Sequence, residues 1–343
     1  MDALRRQSDQ KVFAALLRQR SVHYQSSRKI WYVLGYHDLV TALRSPEIFS
    51  SSPNTVFDPH VLGGESQKQR RLHTVLAREC LRLSETVGDD VRRSSMHLLE
   101  RLASRAKFDP ISEFARPLTD SLAAKWLGIN GTSAPEPPDL RQPPGQITVA
   151  DDVTWAKWQS VLANAGLERN ADLVPFMRFL WVAASRASRL AIAAALLIVL
   201  RQQKIREELV RNSELVPGFC DEALRYDPPE YHLTRMTTTE VNVSGCKIPA
   251  GATVQLSVAA ANRDPLTFHE PEAILIGRKP NPHLAFGAGP HRCPGFTLAR
   301  VEVTAALRAF LEVMPEFRIA THAGAGPTGR FPMFAPHYRR CES

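Results

Sequence analysis

One cysteine near the C-terminal end of the chain lies in a loop whose residue types favour thiolate chemistry. The loop, Phe286 to Gly295, has the sequence FGAGPHRCPG, in which the cysteine is Cys293. An apolar helix is predicted to begin directly after it, so free backbone N–H groups and the helix dipole favour negative charge there. His291 and Arg292 add positive charge, which lowers a thiol pKa. We expect a metal ligand or a nucleophile.

Charged side chains earlier in the chain could serve the same site. Glu222 and Arg225 are three residues apart, on one face of a predicted helix. Arg278 lies in an irregular stretch before the cysteine loop, and Arg235 and His291 are cations that could flank an anionic ligand. Taken alone, a Glu–Arg pair at this spacing is usually an exposed ion pair, and a single cysteine is usually a small buried apolar residue.

The elements that must position these residues are predicted to be mostly helical. Apolar periodicity predicts helices over 9–20, 37–44, 66–127 with breaks near Ser84 and Pro110, 151–167, 172–202, 204–212, 214–226 and 296–314. A strand is predicted over 29–34, and a hairpin is predicted to join 240–243 to 253–258 around Ser244 and Gly245. Stretches rich in Pro, Gly or Ser predict loops over 50–65 and 131–145. The fold class is therefore mainly α with a small β region.

Composition argues against several classes of protein. The chain has 343 residues, 44% hydrophobic and 23% charged, which is typical of a globular protein, and we expect a single domain over 1–343. The net charge of +8 is spread along the chain without a basic block, so we expect no nucleic-acid partner. Five widely spaced cysteines without a CxxC pair predict a reducing, cytoplasmic location. The longest apolar run, 190–200, spans about half a membrane and predicts a core helix. The first residues of the sequence lack the apolar stretch of a signal peptide, and we expect no membrane partner.

From residue 222 onward the chain resembles the cytochrome P450 family. The family's cysteine signature, Phe-x-x-Gly-x-(Arg/His)-x-Cys-x-Gly, is met in full by Phe286, Gly289, His291, Cys293 and Gly295. Glu222 and Arg225 meet its Glu-x-x-Arg motif, and Arg278 falls where the third member of its charged triad belongs. The stretch 260–265 is similar to the start of the family's meander, and 35–51 is similar, more weakly, to the segment before its B–C region.

The resemblance implies a cytochrome P450-like fold with haem b as the cofactor. The thiolate of Cys293 would be the axial ligand of the iron and would push electron density toward the opposite axial position. Gly287, Gly289 and Gly295 would let the backbone approach the porphyrin and point N–H groups at the sulfur. Phe286 would pack near the thiolate and exclude water.

The resemblance also implies roles for the charged residues. His291 and Arg235 would pair with the haem propionates, and Arg71 could add a third contact, although an exposed basic helix face explains Arg71 equally well. Gln67 stands where the family often has a histidine. Three residues would form a structural network that holds the meander: Glu222, Arg225 and Arg278.

The central helix departs from the family's oxygen-activating motif, Ala-Gly-x-(Asp/Glu)-Thr. The best match, 183–188, has Arg186 at the acid position and Ala187 at the threonine position. An arginine cannot release a proton near neutral pH, and alanine has no hydroxyl. Ser185 or Ser188 could substitute through a water molecule, although Ser188 lies about 100° further around the helix.

The segment before the central helix is also unusually short. Relatives fit two long helices and a loop, the F–G region, as a roof over the substrate, whereas this chain has room for little more than the helix near 151–167. We therefore expect a reduced roof over 131–170, either open or completed by a partner protein.

Four hypotheses remain open. The first is a P450 monooxygenase for a small organic or natural-product intermediate, with non-standard oxygen or peroxide activation and with ferredoxin and ferredoxin reductase as partners. The second is a haem-thiolate peroxygenase, isomerase or dehydratase that does not use reduced dioxygen, in which Arg186 could bind a substrate carboxylate. The third is an inactive P450-like partner of a glycosyltransferase, against which the intact cysteine loop argues. The fourth is an all-α domain whose cysteine is only buried.

Overall fold

The structure is a computed structural model that describes residues 12–51, 67–105, 107–130, 148–149, 152–166, 170–317 and 338–339. The chain is helical over 12–17. The helices that follow are α1 Tyr36–Arg44, α2 Gln67–Ser84, α3 Val87–Ala103, α4 Arg116–Leu127, α5 Asp152–Asn164, α6 Asn170–Arg201, α7 Gln203–Arg211, α8 Val216–Tyr226, α9 Val258–Ala261 and α10 Phe296–Val313. A π-helical turn, Pro110–Ala115, and two 3-10 turns, Ser213–Leu215 and Gly289–His291, lie between them.

Local sequence signals explain where several helices begin and end. The π-helical turn begins after Asp109, whose carboxylate accepts a hydrogen bond from the Ile111 N–H. Helix α4 ends at Gly128, whose left-handed conformation lets its N–H reach two preceding carbonyls. The helices predicted over 37–44, 151–167, 172–202 and 296–314 are confirmed to within a few residues.

The β region consists of one six-stranded sheet and two short pairs. The strands are β1 Val22–Gln25, β2 Ile30–Val33, β3 Phe49–Ser50, β4 Ile129–Asn130, β5 Thr148–Val149, β6 His232–Thr237, β7 Val241–Val243, β8 Cys246–Ile248, β9 Thr253–Ser257 and β10 Tyr338–Arg339. The sheet order is β10-β1-β2-β9-β6-β3, and β4–β5 and β7–β8 pair separately. Strand β2 runs parallel to β9 with Ile30 opposite Thr253, whereas the other pairs in this sheet are antiparallel.

The predicted hairpin between 240–243 and 253–258 is wrong. Strand β7 pairs with β8, which places Val243 opposite Cys246 across a two-residue turn. Both turn residues, Ser244 and Gly245, have positive φ, and such turns match the twist of a tight hairpin. Strand β9 pairs instead with β6 and β2.

Helix α6 connects the two largest hydrophobic clusters. Its first half packs with α2, α4 and α5, and its second half packs with α3, α4, α7, α8 and α10. Within it, Phe179–Arg201 has the length and apolar composition of a membrane-spanning helix. Because 56% of its most apolar window is buried inside the protein, we interpret it as a core helix. A third cluster lies between the large sheet and α1.

Candidate functional site

Backbone hydrogen bonds hold the cysteine loop in a defined conformation. The Cys293 N–H donates to the Phe286 carbonyl oxygen at 2.8 Å, and the Gly287 N–H donates to the Leu284 carbonyl oxygen at 2.9 Å. Helix α10 follows directly, and its first turn is closed by a bond from the Ala299 N–H to the Gly295 carbonyl oxygen at 2.9 Å. The sulfur-bearing residue is therefore fixed between a closed loop and a helix N-terminus.

Glycines in this loop meet specific backbone requirements. Gly287 and Gly289 have φ values of 68° and 69°, a region that favours glycine. A Cβ at Gly289 would clash with the Leu43 carbonyl oxygen near the end of α1, so the loop packs directly on that helix. A Cβ at Gly295 would lie 3.9 Å from Cys293 Sγ.

The surroundings of Cys293 act on its thiol in opposite directions. Burial raises the pKa of the thiol, whereas the Gly295 N–H and the Arg292 guanidinium lower it. The net direction is upward, so the pKa lowering expected from the sequence is wrong for the free thiol. The reason is burial, which penalises the anion more than the neighbouring charges stabilise it. The Arg292 guanidinium itself stacks on the Phe296 ring, 4.1 Å from its centroid.

The loop fits the thiolate ligand of a haem iron. It offers one sulfur donor, and the Gly295 backbone N–H hydrogen-bonds to that sulfur. Within the described ranges, no group of three or more His, Cys, Asp and Glu side chains is arranged to hold a metal ion. A lone thiolate with a backbone N–H on its sulfur suits a haem iron better than a zinc site, which needs several protein ligands.

A second cysteine lies close to this loop, a feature that sequence reasoning missed. Cys80 of α2 has its sulfur 3.7 Å from the position of a Cβ at Gly295. Burial, with the negative charges of Cys293 and Glu302, raises the pKa of Cys80 to about 12. The same helix contacts the loop through His73, whose Nε2 donates to the Arg292 carbonyl oxygen. Helix α2 therefore packs against the cysteine loop. Cys80, which lies at this contact, is a neutral thiol.

The charged triad converges on the buried carboxylate of Glu222. Arg225 donates from Nε at 2.8 Å and from Nη2 at 2.9 Å, and Arg278 donates from Nε at 2.9 Å. The remaining guanidinium N–H groups bind main-chain carbonyl oxygens of the irregular stretch after α9: those of Asn262, His269, Glu270, Pro271 and Ala273. This geometry ties α8 to the meander-like segment. It supports the proposal that the triad has a structural role.

The central helix α6 presents an unusual set of contacts at the oxygen-activating positions. Arg186 forms an ion pair with Glu230, which lies between α8 and β6. Ser185 donates to the Trp181 carbonyl oxygen of its own helix at 2.8 Å, so its hydroxyl is already bonded. Ser188 donates to the Glu302 carboxylate of α10, and Ala187 is half-buried between these polar neighbours. Sequence reasoning identified the three positions 186–188 but not their two carboxylate partners.

The three cations predicted to bind propionates come from different elements. Arg71 is exposed on α2, and its Nη1 is 4.0 Å from the position of a Cβ at Gly166. Arg235 is buried on β6, where its Nη1 donates to the Thr234 carbonyl oxygen at 2.8 Å. His291 lies in the 3-10 turn just before Cys293. Their convergence on one cofactor stays a prediction.

The predicted roof, 131–170, is described only in part. Residues 131–147 lie outside the described residues, as do 150, 151 and 167–169. Helix α5 packs against α4 and α6, and Trp158 donates to the Leu127 carbonyl oxygen at 3.1 Å. The expected reduction of this region stays a prediction.

Comparison with known proteins gives consistent matches. A family model for cytochrome P450 matches residues 192–327. The chain is 25% identical over 338 residues to the biotin biosynthesis cytochrome P450 of Bacillus subtilis, covering 84% of each protein. It is 38% identical over 159 residues to the 20-oxo-5-O-mycaminosyltylactone 23-monooxygenase of Streptomyces fradiae, covering 46% of this chain and 38% of that protein.

Solved structures show the same fold. The post-tailoring hydroxylase HmtN, involved in himastatin biosynthesis, superposes with a TM-score of 0.74 at 23% identity, covering 88% of this chain and 87% of that one. The predicted cytochrome P450-like fold is thereby confirmed. Members of the matched family bind haem through a cysteine thiolate to the iron. The motifs, the fold and the relatives of this chain together support a haem-thiolate, monooxygenase-like member of the cytochrome P450 superfamily.

Proposed function

We propose that this protein is a P450-type oxidoreductase that acts on a small organic or natural-product intermediate. The observation that carries the proposal is the Cys293 loop, which is closed onto the Phe286 carbonyl oxygen and has the Gly295 N–H on its sulfur. The names of the Streptomyces fradiae monooxygenase and of the himastatin hydroxylase favour the natural-product class. Ferredoxin with its reductase is the proposed electron source, and the proposed location is the cytoplasm.

Several residues have proposed tasks in holding the cofactor. Cys293 provides the thiolate, and Phe286 shields the sulfur from water. Gly295 keeps the loop free of a Cβ atom near the sulfur, and Gly287 supplies the left-handed backbone that the loop needs. His291 and Arg235 neutralise the propionates. Arg71 is the weakest of these assignments because its side chain is exposed. When bound, the haem supplies the oxidising chemistry that a thiolate-ligated iron performs on an organic substrate.

The ion pair between Arg186 and Glu230 bears on how oxidation is activated. Arg186 occupies the position of the family's acid, and its charge is already balanced by a carboxylate of the chain itself. A substrate carboxylate is therefore not needed to neutralise this arginine, which favours a neutral substrate and the monooxygenase hypothesis. The pair is partly exposed on both sides, and such pairs contribute about 0–1 kcal/mol, so an acidic substrate could still displace Glu230.

Haem binding is tested directly by absorption spectra of the purified protein. We expect a Soret band and a reduced CO adduct with thiolate-type absorbance. Cys293→Ala should remove that thiolate signature while leaving much of the helical content measured by circular dichroism. Cys246→Ala, which changes a buried cysteine in the sheet cluster, is the matched control and should keep the spectrum. An unchanged CO spectrum in Cys293→Ala, or no Soret band in the parent protein, would overturn the proposal.

The oxidant is tested by comparing peroxide with ferredoxin and NAD(P)H. We expect turnover with ferredoxin, and we expect Glu230→Gln to change substrate preference toward carboxylic acids because it frees Arg186. Activity with peroxide alone, abolished by Arg186→Ala, would instead support the peroxygenase hypothesis. Haem spectra of each variant control for loss of the cofactor.

The comparisons give no support to a glycosyltransferase partner. Stable co-purification of haem-free protein with such an enzyme would favour that hypothesis.

A further inference from the structure

Two cysteines from distant parts of the chain lie beside the same glycine. The position of a Cβ at Gly295 is 3.7 Å from the Cys80 sulfur and 3.9 Å from the Cys293 sulfur, so the two sulfurs are at most 7.6 Å apart, the sum of these distances. After burial, the largest influence that raises the pKa of Cys80 is the negative charge of Cys293, a second sign that the two thiols are neighbours.

Helix α2 holds Cys80 against the cysteine loop on both sides of Cys293. His73 of this helix donates a hydrogen bond to the Arg292 carbonyl oxygen, directly before Cys293, and Cys80 meets Gly295, two residues after it. His73 and Cys80 are seven residues apart, close to two helical turns, so they share one face of α2. The pairing of the thiols therefore follows from how the helix packs on the loop.

A disulfide between these cysteines is within reach of their side chains. A disulfide holds two sulfurs about 2 Å apart. A change between staggered rotamers moves a cysteine sulfur by about 3 Å, so rotation at both residues brings the sulfurs within bonding range even from their largest separation. Gly295 has no Cβ and leaves the space beside both sulfurs open.

The other cysteines of the described residues lie elsewhere in the fold. Cys220 is buried on α8 in the largest cluster, and Cys246 is buried in the cluster beside the large sheet. Cys293 is partly exposed, whereas Cys80 is buried. A small oxidant therefore reaches Cys293 first, and Cys80 is placed to react with it second.

We propose that Cys80 and Cys293 form a reversible disulfide in the haem-free chain, with hydrogen peroxide as the oxidant. The Cys293 sulfur attacks one peroxide oxygen, the O–O bond breaks, and the displaced hydroxide leaves as water with the thiol proton. The Cys80 sulfur then attacks the Cys293 sulfur. The S–S bond forms as the S–O bond breaks, and the hydroxyl group leaves as water with the Cys80 proton. Two thiols are oxidised, and one peroxide is reduced to two water molecules.

The disulfide and the ligation of iron compete for one sulfur. A metal ligand must be a thiolate, so Cys293 cannot ligate iron while it is joined to Cys80. The disulfide also protects Cys293 from irreversible oxidation to the sulfinic acid, and in a reducing cytoplasm it is transient. Haem uptake thus pauses under oxidising conditions and resumes after reduction. This regulation rests on the proposed haem-dependent function, whereas the disulfide itself does not.

Peptide mapping of the full-length, haem-free protein tests the disulfide without any turnover. Trypsin releases Cys80 in the peptide 79–82 and Cys293 in the peptide 293–300. After treatment with hydrogen peroxide, we expect these peptides to be joined within a monomeric chain and two of the five thiols to be lost, with full recovery in dithiothreitol. Cys246→Ala, the matched control, should give the same joined peptide. Sulfinic acid at Cys293 without the joined peptide, or Cys293 joined to another cysteine, would overturn the proposal.

Haem titration after prolonged peroxide treatment tests the regulation. The parent protein should lose the Soret band that haem addition produces and regain it after dithiothreitol. Cys80→Ala should lose it without recovery, because Cys293 is then oxidised irreversibly. If Cys80→Ala does not fold, Cys80→Ser carries the test. Recovery in the Cys80 variant equal to that of the parent would overturn the protective role. A parent protein that never binds haem would overturn the proposed function, and the peptide map would still decide the disulfide.

Discussion

Buried acidic groups in this protein differ in what surrounds them, and the difference decides their chemistry. Glu222 is held by two guanidinium groups, so its charge is compensated by ion pairs. Glu302 has a single hydroxyl partner, and an uncompensated buried charge costs several kcal/mol, so the carboxyl group tends to take up a proton instead. The Cys293 thiol lies between these cases, because a backbone N–H and Arg292 oppose the effect of burial.

The raised pKa of Glu302 predicts a pH-dependent stability. The folded pKa of about 7 lies above the usual 4.5, so between these values the folded state binds more protons than the unfolded state. The stabilising contribution is therefore complete below about pH 4.5 and is lost as the pH rises through 7. Because one pKa unit corresponds to about 1.4 kcal/mol, the free energy of unfolding should fall by about 3 kcal/mol over this window.

Urea unfolding of the parent protein and of Glu302→Gln at pH 5 and pH 8 measures this contribution. The difference between the two proteins should change with pH in favour of the glutamine variant at pH 8. Glu312→Gln should show no such change, because that carboxylate is exposed and paired with Arg92. Equal pH dependence in the parent and in Glu302→Gln would contradict the assignment.

Between elements, the cysteine loop depends on α1, which is distant in sequence. The loop backbone approaches the end of α1 so closely that no Cβ fits at Gly289. The packing position of the loop is therefore set by a helix that contributes no ligand to the cofactor. The charged triad has the same character, because Glu222 of α8 binds the Arg278 side chain and the Leu275 N–H of the meander-like segment.

Two glycines with similar backbone angles allow this packing to be tested. Gly245→Ala meets nothing within 4 Å, so only its positive φ opposes it, at a cost of about 1 kcal/mol. Gly289→Ala adds the clash with the Leu43 carbonyl oxygen and should cost about 1–3 kcal/mol more. Unfolding free energies and haem content should separate the two variants, with haem uptake reduced only in Gly289→Ala. Equal effects of both substitutions would show that the loop can move away from α1.

Local patterns in the sequence predicted the helices and the cysteine loop, because both depend on residues that are close together in the sequence. The apolar period of α10 and the run of loop residues ending at Gly295 are complete within a short stretch. Strand β6 escaped prediction because its alternation is weak and its pairing with β9 and β3 comes from distant segments. The partners of Arg186 and Ser188 were missed for the same reason, since Glu230 and Glu302 are 44 and 114 residues away from them.

Across the whole molecule, α6 makes the two largest clusters depend on each other. Trp158 and Trp181 belong to one cluster, and Leu196 and Val199 belong to the other, yet both clusters include residues of this helix. Unfolding either cluster would expose half of a mostly apolar helix. This supports the prediction of one domain over 1–343.

A single domain predicts one cooperative transition in the apoprotein. Tryptophan fluorescence, which reports mainly on the cluster around Trp158, should change together with the helical signal in circular dichroism during urea unfolding. Leu196→Ala creates a cavity in the other cluster and should lower the free energy of unfolding by about 2–5 kcal/mol. Both signals should report the same decrease. Two separate midpoints would contradict the single-domain prediction.

The parallel pairing of β2 with β9 has a consequence for how the chain matures. Ile30 is paired with Thr253, and the Tyr36 N–H donates to the Asp264 carboxylate, 228 residues away. Contacts of such separation raise contact order and slow folding, and they leave early segments without their partners during synthesis. The first strands therefore leave the ribosome long before their hydrogen-bonding partners exist. Cys293 emerges later still, so cofactor capture belongs to the last stage of biogenesis, after a period in which the early strands have no pairing partners.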